Sequence, residues 1–481
     1  MKKKLLAFVM AATMVFSLAA CGSTADTAAS SAAGTTATAE GSSNNQAPDV
    51  KVGAIILGDE TEGYSAAHIN GIKEAAAELG MSDDQIVWKY KIAEGGVTAD
   101  AAEDLVGQGC NLIISNSYGH QTYMEEEAEK HPDINFVAMT GDAAIYGQAV
   151  VNGAKLAVDE INASDSKIKF EFKGEDDEAD GEKSTNAYNK LMDWGMQVLV
   201  GPTTTGASMA VADVCNSERT FMITPSASAV DVTAGKDNVF QVCFTDPNQG
   251  ISSADYIAEN MPDAKIAVLY RNDDAYSQGI HDTFVKEATE KGMSVVYEGT
   301  FTNDTATDFS VQLSGAQSAG ADLVFMPIYY QPASIVLAQA KAMGYAPTFF
   351  GVDGMDGILT MEGFDPSLAE GLMLLTPFSA TVPETQSFVE AYTAANDGVT
   401  PNQFAADAYD GVYIVKEALE KAGCTADMSS ADICEALVAQ MTQISYSGLT
   451  GKDMTWNAEG QVSKAPTAYV IKGGEYVLPE A

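Results

Sequence analysis

Two hydroxyl residues, Thr205 and Ser228, stand where a protein can hold a carboxylate without a counter-ion. Thr205 follows a predicted strand and precedes a predicted helix, so its hydroxyl and the amides at the helix amino terminus can both donate to an anion. Ser228 comes four residues after the strand-ending Thr224 and offers the same combination. Thr203 and Thr204 adjoin Thr205 and leave open which threonine faces the anion.

The elements that must position these hydroxyls follow from the alternation of short β-branched runs with helical stretches after residue 50. This alternation predicts α/β lobes with parallel sheets. Strands are expected at 168–172, 198–200 and 221–224, and a second series at 266–269, 295–297, 323–326 and 348–350. Segments near 239–246, 374–379 and 447–455 are predicted to cross between two lobes. Such a hinged clamp binds small ligands in the cleft between its lobes.

The opening of an α/β lobe occurs twice in the chain, 82 residues apart. Each copy is a strand followed by Gly-Asp, a tyrosine and, six residues later, Asn-Gly ahead of an alanine-rich helix. The first copy has its strand at 52–57 and the tyrosine Tyr64; the second has its strand at 134–139 and the tyrosine Tyr146. Which copy opens a complete clamp therefore decides the function.

Residues 141–481 resemble the substrate-binding lipoproteins of branched-chain amino-acid (leucine/isoleucine/valine) ABC importers. The resemblance rests on GDAAIYG at 141–147, VGPTTTG at 200–206, ITPSAS at 223–228 and FGVDG at 350–354, which occur in the family's order. It implies the type I periplasmic-binding-protein fold, with two parallel-sheet lobes joined by three crossings. The α/β residues ahead of this region are then an extra, partial N-terminal module.

The resemblance also implies roles for individual residues. Thr205 and Ser228 match positions that hold the ligand α-carboxylate, and the backbone carbonyl of Ser226 matches one that accepts from the ammonium. Asp353 matches the acid that pairs with this ammonium, at a position more often occupied by glutamate. The shorter aspartate leaves the ligand's size open.

Aromatic residues match the walls of the family's side-chain pocket. Rigid aromatic walls suit an aliphatic side chain and help lobe closure to expel water. Tyr329 adjoins Tyr330, and neighbouring residues at a strand end point in opposite directions, so only one of the two is expected in the wall. The matching positions are Tyr146, Tyr276, Tyr329 and Phe404.

Residues 50–140 resemble the opening of the basic membrane protein family of nucleoside-binding lipoproteins, through LGDE at 57–60, VWKY at 87–90 and GCNLII at 109–114. No second lobe of that fold follows. The strand at 134–139 is needed by both modules, and a strand cannot lie in the centre of two sheets. We predict that it joins the clamp and leaves the first module with three strands and an imperfectly covered edge. A gene fusion and a misassembled coding sequence would both explain the join.

The first twenty residues have the order of an export signal: three lysines, an apolar run and small residues. The sequence LAAC that ends at Cys21 resembles a bacterial lipobox, which implies that Cys21 is lipidated. The next residues are mostly Ser, Thr, Ala and Gly, typical of a flexible tether. The predicted segments are a signal peptide at 1–20, a tether at 21–49, a partial module at 50–133, lobe 1 at 134–245 plus 378–447, and lobe 2 at 246–377 plus 448–481.

Composition narrows the class of partner. Without the signal peptide the chain has 23 basic and 67 acidic residues, a net charge of −44, which disfavours binding to nucleic acid. The acidic run 175–181 resembles a calcium loop that begins at Asp176 and has glycine sixth, but the twelfth position is Ala187, which cannot supply the bidentate ligand. We expect instead a solvated turn with acids ahead of a helix amino terminus. Cys424 and Cys434 could pair, although buried free thiols are more common. No catalytic motif is found, so we expect no enzyme, cofactor or metal.

The sequence therefore predicts a lipid-anchored, monomeric binding protein on the outer face of the cell membrane, which delivers an amino acid to an ABC permease. A branched-chain or other aliphatic amino acid is the expected ligand. The alternatives are another small ligand, such as a polar amino acid, an amide or a purine nucleoside, and a sensory or interaction lipoprotein. An extracellular hydrolase assembled from distant residues is the least favoured alternative.

Overall fold

The computed structural model describes residues 50–61, 63–93, 95–117, 120–132, 134–138, 143–361, 364–396 and 398–479. The predicted signal peptide, Cys21, the tether, Gly141 and Asp142 lie outside these residues. The chain divides into two compact units, unit 1 before residue 140 and unit 2 from residue 140 onward. Within the described ranges, no helix has the length and apolar character needed to cross a bilayer.

The described part of unit 1 is a four-stranded parallel sheet with three α-helices. Strand β1 is buried along its whole length and pairs with β2 on one side and β3 on the other. Helix α2 packs close to the sheet, since a Cβ on Gly53 would lie 2.8 Å from Cδ1 of Leu105. The strands are β1 (Val52–Ile55), β2 (Ile86–Lys89), β3 (Leu112–Ser115) and β4 (Asn135–Ala138), and the helices are α1 (Gly63–Glu78), α2 (Val97–Gly107) and α3 (Gln121–Lys130).

The fourth strand of this sheet corrects a prediction. The strand at 134–139 was expected in lobe 1 of the clamp, but β4 pairs in parallel with β3, from Leu112↔Asn135 to Ser115↔Ala138. The sheet order is β2-β1-β3-β4. A β–α–β connection of ordinary length, through α3, brings β4 beside β3, and this local pairing costs little loop entropy. Unit 1 therefore has four strands instead of three.

The first lobe of unit 2 has a small parallel sheet of three strands in the order β5-β6-β7. Asp180 caps α5 by accepting from the amides of Glu182 and Lys183, so the acidic run before it is a helix start, as predicted. The elements are α4 (Ala144–Ala163), α5 (Gly181–Trp194), β5 (Val198–Val200), α6 (Thr205–Glu218), β6 (Phe221–Thr224) and β7 (Val239–Gln241), followed later in the chain by α11 (Gln386–Ala395), α12 (Gln403–Ala422) and α13 (Ser430–Met441).

The prediction of a strand at 168–172 is wrong, because this segment has no strand pairing in the structure. At Phe170 the backbone hydrogen bonds are made with a side chain instead. Asn162 donates from Nδ2 to the carbonyl of Phe170 (2.8 Å) and accepts from its amide at Oδ1 (2.9 Å). A strand needs a neighbouring strand for its ladder, and the strand predicted to open this lobe is β4, which pairs in unit 1.

The second lobe contains a seven-stranded sheet in the order β14-β13-β12-β11-β10-β8-β9. Strands β8 to β12 pair in parallel, whereas β13 pairs antiparallel with both β12 and β14. The elements are α7 (Asp246–Asn260), β8 (Lys265–Arg271), α8 (Ala275–Glu290), β9 (Ser294–Phe301), α9 (Ser310–Ser318), β10 (Leu323–Met326), α10 (Tyr330–Met343), β11 (Thr348–Gly351), β12 (Met373–Thr376), β13 (Thr467–Lys472) and β14 (Glu475–Val477).

One close helix contact positions two residues of the predicted site. A Cβ on Gly153 of α4 would lie 2.1 Å from the carbonyl oxygen of Ala405 on α12, so only glycine lets the two backbones approach this closely. Tyr146 lies two turns before Gly153, and Phe404 lies next to Ala405. The glycine contact therefore brings the Tyr146 and Phe404 rings together, with centroids 4.2 Å apart.

Candidate functional site

Asp353 is a buried acid just beyond the carboxyl end of β11. It begins a short 3-10 turn, Asp353–Met355, and its side chain is 3% exposed. Tyr276 donates from its hydroxyl to Oδ1 of Asp353 (2.6 Å), and Gln403 donates from Nε2 to the Asp353 carbonyl (2.9 Å). Burial raises the pKa of Asp353 to about 7, with the Tyr276 hydrogen bond opposing the shift. A cationic group close to this acid would therefore be strongly favoured.

Four predicted wall residues form one aromatic cluster around this acid. The Tyr276 and Tyr329 rings stack in parallel with centroids 4.8 Å apart, and Tyr146 lies 5.8 Å from Tyr329. Phe404 completes the cluster through its contact with Tyr146. Tyr146 is on the first lobe, and its hydroxyl donates to the Gly354 carbonyl of the second lobe. The cluster thus bridges the two lobes of unit 2.

The neighbouring tyrosines at the start of α10 both touch this cluster, in different ways. Tyr330 contacts Tyr146 edge-on at 5.0 Å and donates from its backbone amide to the Tyr146 hydroxyl (3.1 Å). Its side chain is buried in the core, whereas Tyr329 is partly exposed. Tyr329 is therefore the better candidate for the wall, whereas Tyr330 packs edge-on against Tyr146 within the core.

The two predicted carboxylate-binding hydroxyls are both buried on the first lobe. Thr205 is the first residue of α6, and Ser228 follows β6. Their Oγ1 and Oγ atoms have no hydrogen-bond partner among the described residues, and the same holds for Oγ1 of Thr204. Thr203, by contrast, uses its carbonyl to accept from the Ser226 hydroxyl (2.6 Å). Buried hydroxyls are usually paired. These unpaired hydroxyls, one of them at the amino terminus of α6, are therefore free to donate to an anion.

Ser226 anchors the loop between these hydroxyls. Its hydroxyl ties the loop to Thr203, and its amide donates to Oγ1 of Thr224 (3.4 Å). Thr224 in turn donates to the Pro202 carbonyl (2.7 Å). These hydrogen bonds hold the loops after β5 and β6 together. The role of the Ser226 backbone carbonyl as acceptor for an ammonium stays a prediction.

Asp246 is a buried acid of this region that sequence reasoning missed. It is 1% exposed, and neither carboxylate oxygen has a hydrogen-bond partner among the described residues. Its amide donates to the Ser228 carbonyl (2.9 Å). Burial raises the pKa of Asp246 well above its usual range; the nearby Ser228 side chain opposes this shift, and the charge of Asp353 adds to it. The pattern Thr245-Asp246-Pro247 is that of an ordinary helix start, so nothing in the sequence indicates that Asp246 is buried.

The chain's similarity to known proteins agrees with this geometry. Residues 135–475 match the model of a family described as "Periplasmic binding protein". The chain belongs to this family. The match begins at the first residue of β4, the strand that pairs in unit 1.

Individual relatives cover the same region. The chain is 31% identical over 304 residues to the Leu/Ile/Val-binding protein homolog 3 of Brucella melitensis, which covers 62% of this chain and 80% of that protein. It is similar to the leucine-binding protein LivK of Thermotoga maritima (TM-score 0.63, 26% identity), with 71% of this chain and 95% of that one covered. It is also similar to LivJ of Streptococcus pneumoniae, solved with isoleucine (TM-score 0.61, 27% identity), with 76% and 99% covered.

These relatives are solute-binding proteins, and their structures carry the type I periplasmic-binding fold that the sequence predicts. Unit 1 has no counterpart in the family match except β4. Its resemblance to the nucleoside-binding lipoproteins stays a prediction. Cys110, Cys215, Cys243, Cys424 and Cys434 are all free and buried.

Proposed function

We propose that unit 2 is the substrate-binding component of an ABC importer and binds an aliphatic amino acid between its two lobes. The ligand ammonium pairs with Asp353 and the Ser226 carbonyl, and its carboxylate accepts from Thr205 and Ser228. Its side chain lies against the aromatic walls, which are Tyr146, Tyr276, Tyr329 and Phe404. The protein performs no chemistry on its ligand. The observation that carries this proposal is the buried Asp353 inside an aromatic cluster.

The charge arrangement supports a zwitterion. Asp353 lies 3% exposed on the second lobe, while the unpaired hydroxyls of Thr205 and Ser228 lie on the first. An isolated buried carboxylate is costly and a buried ion pair with good hydrogen bonds is not. A ligand that brings a cation to one lobe and an anion to the other satisfies both walls and holds the lobes closed.

An aliphatic side chain is favoured by the aromatic character of the walls and by the relatives. Aromatic rings offer apolar area at low entropic cost. The relatives carry names that refer to leucine, isoleucine and valine, and LivJ was solved with isoleucine. The chain covers 80% or more of each of these proteins, and the family match at 135–475 contains every residue of the proposed site.

Calorimetry with leucine and its truncated analogues tests this proposal. 4-Methylpentanoate lacks the ammonium, and 3-methylbutylamine lacks the carboxylate. Leucine, isoleucine or valine should bind, and each analogue should bind at least about 100-fold more weakly, because each leaves one charged or polar wall unpaired. Equal affinity for leucine and 4-methylpentanoate would contradict the role of Asp353. Adenosine serves as the test of a nucleoside ligand.

A second candidate ligand is a polar amino acid, favoured by Asp246. This acid has two unpaired oxygens beside Ser228, so an amide or hydroxyl on the ligand side chain would find an acceptor there. Glutamine, asparagine and threonine therefore belong in the calorimetric panel. Preference for one of them over leucine would select this candidate.

The anchoring and delivery steps belong to the same proposal. Cys21 follows a signal-like segment with a lipobox-like end, so we expect a lipid anchor on the outer face of the membrane. We expect the protein to be a monomer and to have an ABC permease as its partner. Metabolic labelling with a radioactive fatty acid should mark the chain, and Cys21→Ser should remove the label.

A further inference from the structure

Three ligand-type side chains converge on one point in unit 1, far along the chain from the residues of the proposed amino-acid site. Glu103 is on α2, Glu127 is on α3, and His131 directly follows α3. Nε2 of His131 lies 2.6 Å from Oε2 of Glu103 and 3.9 Å from Oε2 of Glu127. One ligand atom from each residue lies within 4.8 Å of the other two.

The buried oxygen of Glu127 is the second observation. Glu127 is only 2% exposed, and its Oε2 atom, the one directed at His131, has no hydrogen-bond partner among the described residues. The other oxygen, Oε1, accepts from Nζ of Lys130 (2.6 Å). Leaving a buried carboxylate oxygen without a partner is costly, so a cationic group bound at this atom would be stabilising.

A single protonated imidazole cannot fill this need. Nε2 of His131 carries at most one proton, and Glu103 lies 2.6 Å from it, which leaves none for Glu127 at 3.9 Å. Two carboxylate oxygens and an imidazole nitrogen around one point are the ligands that first-row divalent metals accept. The spacing of Glu127 and His131, four residues apart, places both on one helix face.

We propose that unit 1 binds one divalent transition-metal ion, represented by Zn²⁺, through Nε2 of His131, Oε2 of Glu103 and Oε2 of Glu127. Zinc–nitrogen and zinc–oxygen bonds of about 2.0 to 2.2 Å in a tetrahedron place the ligand atoms about 3.4 Å apart. The 2.6 Å separation must therefore open and the 3.9 Å separation must shorten, each by less than about 1 Å. Water would supply the fourth ligand. The ion would fasten the end of α3 to α2.

The ammonium of Lys130 lies next to the proposed metal site and should weaken its affinity for Zn²⁺. This ammonium holds Oε1 of Glu127 and so limits this carboxylate to one oxygen for the metal. Its positive charge also opposes a cation close by. Lys130→Met should therefore bind Zn²⁺ more tightly than the natural chain, by roughly tenfold for an effect of about 1.4 kcal/mol.

A second histidine in the chain provides a matched control. His281 also contacts two carboxylates, but through different ring nitrogens: Nδ1 with Asp282 (2.8 Å) and Nε2 with Glu298 (2.8 Å). Its carboxylates therefore lie on opposite sides of the ring and do not converge. His281→Ala removes a carboxylate-paired imidazole without touching the proposed metal site.

The experiment measures Zn²⁺ uptake by the full chain after removal of metals with a chelator. Titration calorimetry and metal analysis after dialysis should give about one tightly held equivalent, and Co²⁺ in its place should give the visible absorption of a tetrahedral site. His131→Ala and Glu127→Gln should each weaken binding at least about tenfold, whereas His281→Ala should leave it unchanged. Thermal unfolding with and without Zn²⁺ should show a metal-dependent rise in Tm that both site variants lose.

Absence of Zn²⁺ uptake by the natural chain would overturn the proposal, and so would equal uptake by the His131→Ala variant. Glu127 is buried, so circular dichroism must show that Glu127→Gln keeps its helices. If the Glu127→Gln variant loses helical structure, the result for His131→Ala tests the proposal. The His131 side chain is about one quarter exposed at a helix end, so its loss leaves no cavity in the core. None of these outcomes depends on amino-acid binding by unit 2.

Discussion

Tyr276 donates a hydrogen bond of 2.6 Å from its hydroxyl to Oδ1 of Asp353. The same hydroxyl accepts from the backbone amide of Gly354 at 2.9 Å, so the tyrosine fixes both the acid and the turn that carries it. The Tyr276 ring and the Asp353 carboxylate are both buried. These two hydrogen bonds hold the acid in one orientation, which would lower the entropic cost of binding the proposed ligand.

Replacing Asp353 with Asn should reduce amino-acid affinity by roughly 100-fold or more, because the ligand ammonium would then be buried without a counter-charge at a cost of about 3 to 5 kcal/mol. Calorimetry with leucine measures the change. Asp365→Asn is the matched control, since Asp365 is an exposed acid of the same lobe. Unchanged affinity in the Asp353 variant would refute the assignment.

Amino-acid binding should weaken as the pH falls below about 7. The pKa of Asp353 is raised to about 7 by burial, so at pH 5 the acid is protonated and must lose its proton to pair with an ammonium. Affinity at pH 5 should therefore be about 100-fold lower than at pH 8. Calorimetry across this range gives the slope. A flat profile would show that binding does not require the ionised Asp353.

The stability of the ligand-free protein should change with pH in the opposite sense. The unfolded pKa of Asp353 is near 3.8 and the folded pKa is about 7, so the folded state holds the proton more tightly. Its contribution to stability is full below pH 3.8 and is lost as the pH rises through 7. The free energy of unfolding in urea should fall between pH 6 and pH 8 in the natural chain. It should fall less in the Asp353→Asn variant.

The sequence predicts side chains that the structure brings together, but it misses what depends on strand pairing. The family resemblance points to Asp353 and Tyr276, and the structure joins these two side chains by a hydrogen bond. The competition for residues 134–139 cannot be decided locally, because the strand fits either sheet and only the hydrogen-bonded partner differs. Its pairing with β3 also removes the ladder on which the strand predicted at 168–172 depends. Asp246 was missed because a helix start conceals its burial.

Removing the proposed anion-binding hydroxyls should weaken binding without destabilising the protein. Oγ of Ser228 and Oγ1 of Thr205 have no partner among the described residues, so Ser228→Ala and Thr205→Val should leave the free energy of unfolding nearly unchanged. Each should reduce leucine affinity by about 1 to 3 kcal/mol, or roughly 5- to 150-fold. Ser217→Ala, on the exposed end of α6, is the control. Loss of stability with unchanged affinity would assign these hydroxyls a structural role.

Adding one methyl group at Gly153 should disturb the aromatic cluster from a distance. The Cβ of Gly153→Ala would lie 2.1 Å from the Ala405 carbonyl oxygen, so α4 and α12 must separate. This overpacking should cost about 1 to 3 kcal/mol of stability and move Tyr146 away from Phe404, with weaker leucine binding as a result. Gly147→Ala, on the same helix with open space around it, should be close to neutral in both measurements.

Lys464 should be a major source of stability in unit 2. Its ammonium, almost fully buried, contacts Asp407 (2.5 Å) and donates to the Thr450 hydroxyl (2.8 Å) and the Val242 carbonyl (3.2 Å). It thereby joins α12 to segments predicted to cross between the lobes. Lys464→Met leaves Asp407 unpaired and should cost about 3 to 5 kcal/mol in urea unfolding.

A second substitution separates the charge effect from lost packing at Lys464. Burial raises the pKa of Asp407 while Lys464 lowers it, so without the lysine the acid should become protonated at a higher pH. The double variant Lys464→Met with Asp407→Asn removes the buried charge and should recover most of the lost free energy. Lys155→Met breaks the exposed pair with Asp159 and should cost less than about 0.5 kcal/mol. If Lys464→Met costs no more than this control, the buried pair does not hold the lobes together.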